Sequence, residues 1–148
     1  MLMRQAAAAA ASTGLLAMAG RHAAWGAGSA WPFPDRAALA DAVIGAAEVP
    51  APRACFAVSG GLGAAGALTA GWPAGYPGLR RAGSCAVAAV LTGRGTLGLA
   101  GQTRLVSPVS VSERFTQLDR RVYSPLCLTL AAMSALSAWP AKGSRPDS

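Results

Sequence analysis

Charge and histidine are scarce in this chain of 148 residues: 13% of them are Asp, Glu, Lys or Arg, and His22 stands alone as the one histidine. A single histidine cannot build a bis-histidine haem site or a His-rich metal centre within one chain. The cysteines Cys55, Cys85 and Cys127 fall one to a segment and form no C-x-x-C pair, which removes the clustered thiols of a redox or metal motif. Each reads instead as a small apolar residue packed between helices. Asp35, Asp41 and Glu48 belong to one connecting loop, so the paired carboxylates or nucleophile with base that catalysis needs are missing from the apolar segments. No cofactor is implied, and the chain reads as a non-enzyme. A run of positive side chains is missing too. The net charge of +7 is scattered in ones and twos, as in Arg4, Arg80 with Arg81, and Lys142 with Arg145. That scatter argues against a nucleic-acid partner and for contact with anionic lipid headgroups.

What the chain does have is apolar length. Hydrophobic residues make up 53% of it, drawn mainly from Ala, Leu and Val, with 18 glycines besides, a composition of the membrane class. A bilayer core about 30 Å thick is crossed by roughly 20 predominantly apolar residues in a helix, and four such stretches consume nearly the whole chain. The expected fold is all-α: an integral membrane four-helix bundle, one membrane domain over 1–148, with spans at about 6–31, 54–76, 82–103 and 122–141 and a polar tail at 142–148. Short amphipathic interfacial helices are expected in the first and third loops. The partners implied are the lipid bilayer and other membrane proteins or further copies of the chain. The location is the cell membrane, multi-pass, with cytoplasmic termini, because Arg4 immediately precedes the first span whereas Arg36 sits among acids.

The opening of the first span resembles a secretory signal, with Ala17-Met18-Ala19 as a cleavage site. Apolar character resumes after Arg21-His22 and continues to Trp31, which favours a retained helix. Gly20, Ala24 and Gly28 recur every four residues, as do Ser59, Gly63 and Ala67, with Gly66 and Ala70 beside them, ladders of the kind that let helices approach closely. In the first loop Asp35 is placed to cap a helix carrying Leu39, Val43 and Ala46 on one face. In the third, Ser110-Val111-Ser112-Glu113 has the form of a capping box, and Val111, Phe115, Leu118 and Val122 follow at helical spacing. Ser124 as N-cap with Pro125 at the first helical position predicts a fresh start for the last helix.

Arginine within an apolar segment marks the candidate site. Arg94 lies near the middle of the third span, where insertion is unfavourable by roughly 2.5–3.5 kcal/mol, so it is expected to face inward to a partner or a wet cavity. Asp119 is the best carboxylate for it, at the entrance of the fourth span. Gly98 and Gly101 leave space on the turns that follow. The candidate polar cluster, ligand-binding or structural, is Arg21, His22, Arg94, Asp119, Tyr123 and Ser124.

Several strings occur together in order: His22-Ala23-Ala24-Trp25-Gly26, Glu48-Val49-Pro50, Arg94-Gly95, and Phe115-x-x-Leu118-Asp119-Arg120-Arg121-x-Tyr123-Ser124-Pro125-Leu126-Cys127. With this spacing the chain resembles the domain-of-unknown-function family 3995, small multi-pass bacterial membrane proteins, over roughly Gly14 to Ala138. The resemblance implies an integral membrane protein and supplies no catalytic residues. The expected role is a non-enzymatic accessory or structural membrane component. The alternative is binding or transport of a small or lipidic ligand around Arg21, His22 and Arg94.

Overall fold

The computed structural model describes residues 2–102, 105 and 112–139, and these are helical with no strand among them. Four long elements dominate: α1 (Leu2–Gly26), α3 (Pro52–Ala70), α4 (Pro77–Leu99) and α6 (Ser124–Ala138). The short α2 (Arg36–Ile44) fills the first loop, and α5 (Glu113–Leu118) runs through a π turn (Asp119–Tyr123) into α6. The predicted tail at 142–148, and Ser110 and Val111 of the predicted capping box, lie outside the described residues.

Close approaches give the helix directions. Gly26 meets Cys55 and Phe56 while Gly66 meets Ser12 and Leu16, so α1 and α3 are antiparallel. Gly14 meets Leu130 while Met3 lies near Leu136, Gly83 meets Leu68 while Gly71 meets Arg80, and Gly95 meets Leu128 while Gly98 meets Ser124, so α6 packs antiparallel to α1, and α4 antiparallel to both α3 and α6. Small side chains form the seams: Ala7, Ala11, Leu15 and Ala19 of α1 are buried at intervals of one turn, and Ser84, Ala88, Gly95 and Gly98 of α4 keep a matching stripe. Small residues at these positions let backbones come near enough for dense contact.

The packed stripes differ from those expected. A side chain at Gly20 or Gly63 would meet open space. Gly28 ends α1 instead of packing: its φ of 101° is a left-handed conformation, its N–H reaches Trp25 O, and the N–H of Ser29 reaches Ala24 O. This is a Schellman stop, which glycine adopts without a Cβ penalty; it closes α1 short of the predicted residue 31. Gly66, by contrast, is a close approach as predicted, and the Ser59 hydroxyl donates to Ala19 O at 2.8 Å. The helix runs unbroken through Ala17-Met18-Ala19, and Ala19 is buried in the seam with α3. Cys55 is buried there, but Cys85 is exposed on α4, contrary to the expectation that every cysteine packs inside.

Two boundaries move for a physical reason. Pro77 starts α4 one turn before Arg80-Arg81, because a proline at the first helical position loses no needed N–H; both arginines therefore belong to the helix and not to a connection. At the other end of the chain Ser124-Pro125 does not begin a helix. Ser124 is helical itself, its N–H donates to Asp119 O five residues back, and the backbone continues through Pro125. Proline offers no N–H to the preceding turn and its ring crowds the carbonyl four residues back, and the chain relieves this by widening into a π turn. The N-cap is Ser112, which accepts from Phe115 N at 3.1 Å. The third-loop helix is thus the first part of one rod. Phe115 is buried along it, whereas Val122, expected on the same face, is 48% exposed.

The first-loop helix forms where predicted, with Ala38 N donating to Asp35 Oδ1 at 2.8 Å. It docks on the bundle end through Leu39, which packs with Trp25 and Cys55. Tyr123 OH donates to Ala42 O at 3.0 Å, Ser112 N to Gly45 O at 3.2 Å, and Arg114 pairs with Asp41 at 3.5 Å. Among the described residues no helix is long and apolar enough to cross a membrane. Alanine and glycine dominate these helices where leucine or isoleucine would raise the hydropathy, and α4 alone carries Arg80, Arg81 and Arg94.

Candidate functional site

The six predicted residues fall into two groups that share no hydrogen bond or ring contact. Arg21 and His22 sit near the end of α1. His22 Nδ1 lies 2.8 Å from Met18 O; since a carbonyl only accepts, Nδ1 carries a proton. The imidazole tilts against Trp25 with ring centroids 4.9 Å apart. The Arg21 guanidinium carbon stands 4.5 Å from the centroid of the Trp31 ring, and the Trp25 indole donates to Trp31 O at 2.9 Å. A cation over an indole face contributes about 0.5–1 kcal/mol where exposed and more when desolvated, so Arg21 is accommodated by the aromatic residue that follows the helix.

The second group fills the seam between α4 and the bent rod. Arg94 meets Asp119 through Nη2 at 2.5 Å and Nη1 at 3.4 Å, a two-point contact with a carboxylate that has 0% exposure. Ser124 adds a hydroxyl donor to Asp119 Oδ1 at 3.4 Å. The π turn places Asp119 and Ser124 on the same side of the rod, facing α4. Gly98 makes room for them: a Cβ there would meet the Ser124 hydroxyl, Asp119 Oδ2 and Arg94 Nη1. The predicted partnership of Arg94 with Asp119 is therefore present, and Gly98 provides the space expected of it. Thr96, adjacent in sequence, bonds only to Thr92 O and Gly93 O of its own helix. Tyr123 points away from the pair, to α2.

Near His22 lies an apolar cavity of about 130 Å³, lined by His22, Trp25, Leu39, Val43, Val49 and Cys55 among others. Neither Arg21 nor Arg94 belongs to its wall. Among the described residues no three His, Cys, Asp or Glu side chains come together in a way that could hold a metal ion.

A family model described as a protein of unknown function, DUF3995, matches residues 15–134. The chain belongs to this family. The match covers both groups of polar residues, α2 and the bent rod up to Ser134, and leaves the start of α1 and the last turn of α6 outside. Comparisons with curated proteins and with solved structures give no match. The DUF3995 assignment agrees with the resemblance read from the strings around Trp25, Arg94 and Asp119, and it brings no activity with it.

Reasoning from sequence missed the stacking of Arg21 on Trp31 and the pinning of α2 by Tyr123 and Arg114. The first depends on a loop conformation, and the second joins residues 73 or more positions apart, 114 to 41 and 123 to 42. Neither leaves a local pattern. The widened turn did leave one, a proline two residues after Tyr123 in an otherwise helical stretch, but the same signal also marks a helix start.

Proposed function

We propose that this chain is a membrane-embedded four-helix bundle serving as a non-enzymatic accessory or structural component. The observation that carries the reading is the set of large apolar side chains left facing outward, around a core that buries Leu15, Trp25, Leu39 and Phe115 together with several polar groups. Ser12, Thr69, Ser84, Asp119, Ser124 and Ser134 are buried, while Leu16, Phe56, Val58, Val90, Leu126 and Leu136 are exposed. In water such an arrangement forfeits the burial that stabilises a domain, at about 25 cal/mol per Å² of apolar surface; against lipid it loses nothing, because packing and internal hydrogen bonds hold the helices. Length is compatible as well. At about 1.5 Å per residue, α3 with 19 residues and α4 with 23 extend about 28 and 34 Å, while α6 with 15 residues reaches span length only as part of the rod that begins at Glu113. The low hydropathy reflects alanine and glycine, and the charge of Arg94 is matched within the protein.

The ion pair supports a structural role for Arg94, since its guanidinium is already engaged. A second reading, binding of a small apolar ligand, is favoured by the cavity beside His22. The test is fractionation of bacteria expressing the full chain, followed by alkaline carbonate washing and detergent phase partition. Retention in the washed membrane and in the detergent phase is expected; release by carbonate into the supernatant would refute the membrane reading. Native mass spectrometry of the purified protein separates the two roles: a bare chain fits the accessory component, and a stoichiometric apolar adduct lost in His22→Ala fits the binder.

A further inference from the structure

At the end of the bundle where α1 and α4 begin and α3 and α6 finish, a cavity of about 250 Å³ is lined by Arg4, Thr69, Arg80, Arg81, Ser84 and Ser137, among others. A second recess shares Arg4, Arg80 and Ser137 with it. Arg4 Nε is buried there with no hydrogen-bond partner. None of the three arginines forms an ion pair with a described carboxylate, for the two pairs present join Arg94 to Asp119 and Arg114 to Asp41. The described acids Asp35, Asp41, Glu48, Glu113 and Asp119 all belong to the opposite half. Arg80 is held in place against Gly71, the stop residue of α3, where an added Cβ would lie 2.5 Å from Nη2. The N-cap of α4, Tyr76, makes no side-chain capping bond, so the first N–H groups of that helix face the same end uncapped.

Three arginines line one recess, Arg80 and Arg81 with exposed side chains, and no described carboxylate balances their charge. A tetrahedral oxyanion balances that charge, because its oxygens match the arginine fork and a helix N-terminus favours an anion. We propose that this recess binds a phosphate group through Arg4, Arg80 and Arg81. Free phosphate and the phosphate of an anionic lipid headgroup offer the same chemistry. The inference stands on the arginine geometry and does not require the membrane reading.

The test uses the full chain in mild nonionic detergent at low ionic strength, where such contacts are least screened. Thermal unfolding is followed with added inorganic phosphate, with micelles containing phosphatidic acid, and with phosphatidylcholine micelles as the zwitterionic control. Wild type is compared with the Arg4→Gln, Arg80→Gln double variant and with Arg53→Gln at the far end. Stabilisation by phosphate and by phosphatidic acid, weakened roughly tenfold or more in apparent affinity in the double variant and kept in Arg53→Gln, supports a general phosphate site. Stabilisation by phosphatidic acid alone, with the same loss, assigns the site to a lipid headgroup. No stabilisation by either, or equal stabilisation of the double variant, overturns the proposal. Without ligand, the double variant should unfold at the same or a higher temperature, since it removes charge that no described carboxylate balances; a marked loss of stability would show that these arginines serve the fold and would also overturn it.

Discussion

Asp119 has no solvent contact, and its carboxylate oxygens meet Arg94 from α4 and Ser124 from its own rod. Burying an isolated carboxylate costs several kcal/mol, and the attraction within a pair offsets this only when geometry and extra hydrogen bonds are good. Removing one member therefore costs more than the pair contributes. Arg94→Leu should lower stability by about 3–5 kcal/mol, because Asp119 is left buried and unmatched. Arg94→Leu combined with Asp119→Asn should recover part of that loss. Thermal unfolding of the wild type, both single variants and the double variant measures the coupling; a double variant no better than the sum of its singles would refute the pair. This contact was legible in the sequence because an arginine inside an apolar stretch demands an acid, and the chain has few acids to offer. Arg21 was not legible in the same way. It needed no acid, since Trp31 returns over it from the loop, and a cation stacked on a ring leaves no charge pattern to read.

The rod from Glu113 to Ala138 shows how one element can carry two opposed signals. Ser124-Pro125 satisfies the rule for a helix start, and the apolar spacing from Phe115 to Leu118 satisfies the rule for a helix already under way. The second wins because Ser124 is committed to Asp119 and its N–H to Asp119 O, so breaking the rod would expose a buried carboxylate. Pro125→Ala restores the missing N–H and frees the wide turn to tighten to ordinary α geometry, which would swing Asp119 by about 100° around the helix axis. The coupling between Arg94 and Asp119, measured by the same cycle in the Pro125→Ala background, should fall towards zero. A coupling of undiminished size would show that the ion pair, and not the proline, maintains the π turn. The other long helices were read correctly in number and order. Their ends were displaced where Gly28 acts as a stop and Pro77 as a start, signals visible in the sequence but outranked by the run of apolar residues around them.

Across the whole molecule, antiparallel packing of neighbours brings the start of α1 beside the end of α6, so Arg4 lies near Leu136 and Trp139. The α3 to α4 connection is at that same end, since Arg80 rests on Gly71. The charges divide accordingly: Arg4, Arg80 and Arg81 stand at one end with no described acid, while Arg36, Arg53, Arg114, Arg120 and Arg121 at the other are mixed with Asp35, Asp41, Glu48 and Glu113. Orientation across a bilayer responds to Lys and Arg near the helix ends and only slightly to acids, so the five described arginines of the far end oppose the three of this one, and the first helix with its leading Arg4 is expected to have the larger say. On the membrane reading, reporter fusions placed after Arg81 and at Ser148 should report the same side, the cytoplasm, and a fusion after Glu48 the opposite one. Discordant results from the first two would refute a four-span arrangement. Concordant but external results would keep the four spans and reverse the orientation, showing that the five arginines of the far end outweigh Arg4.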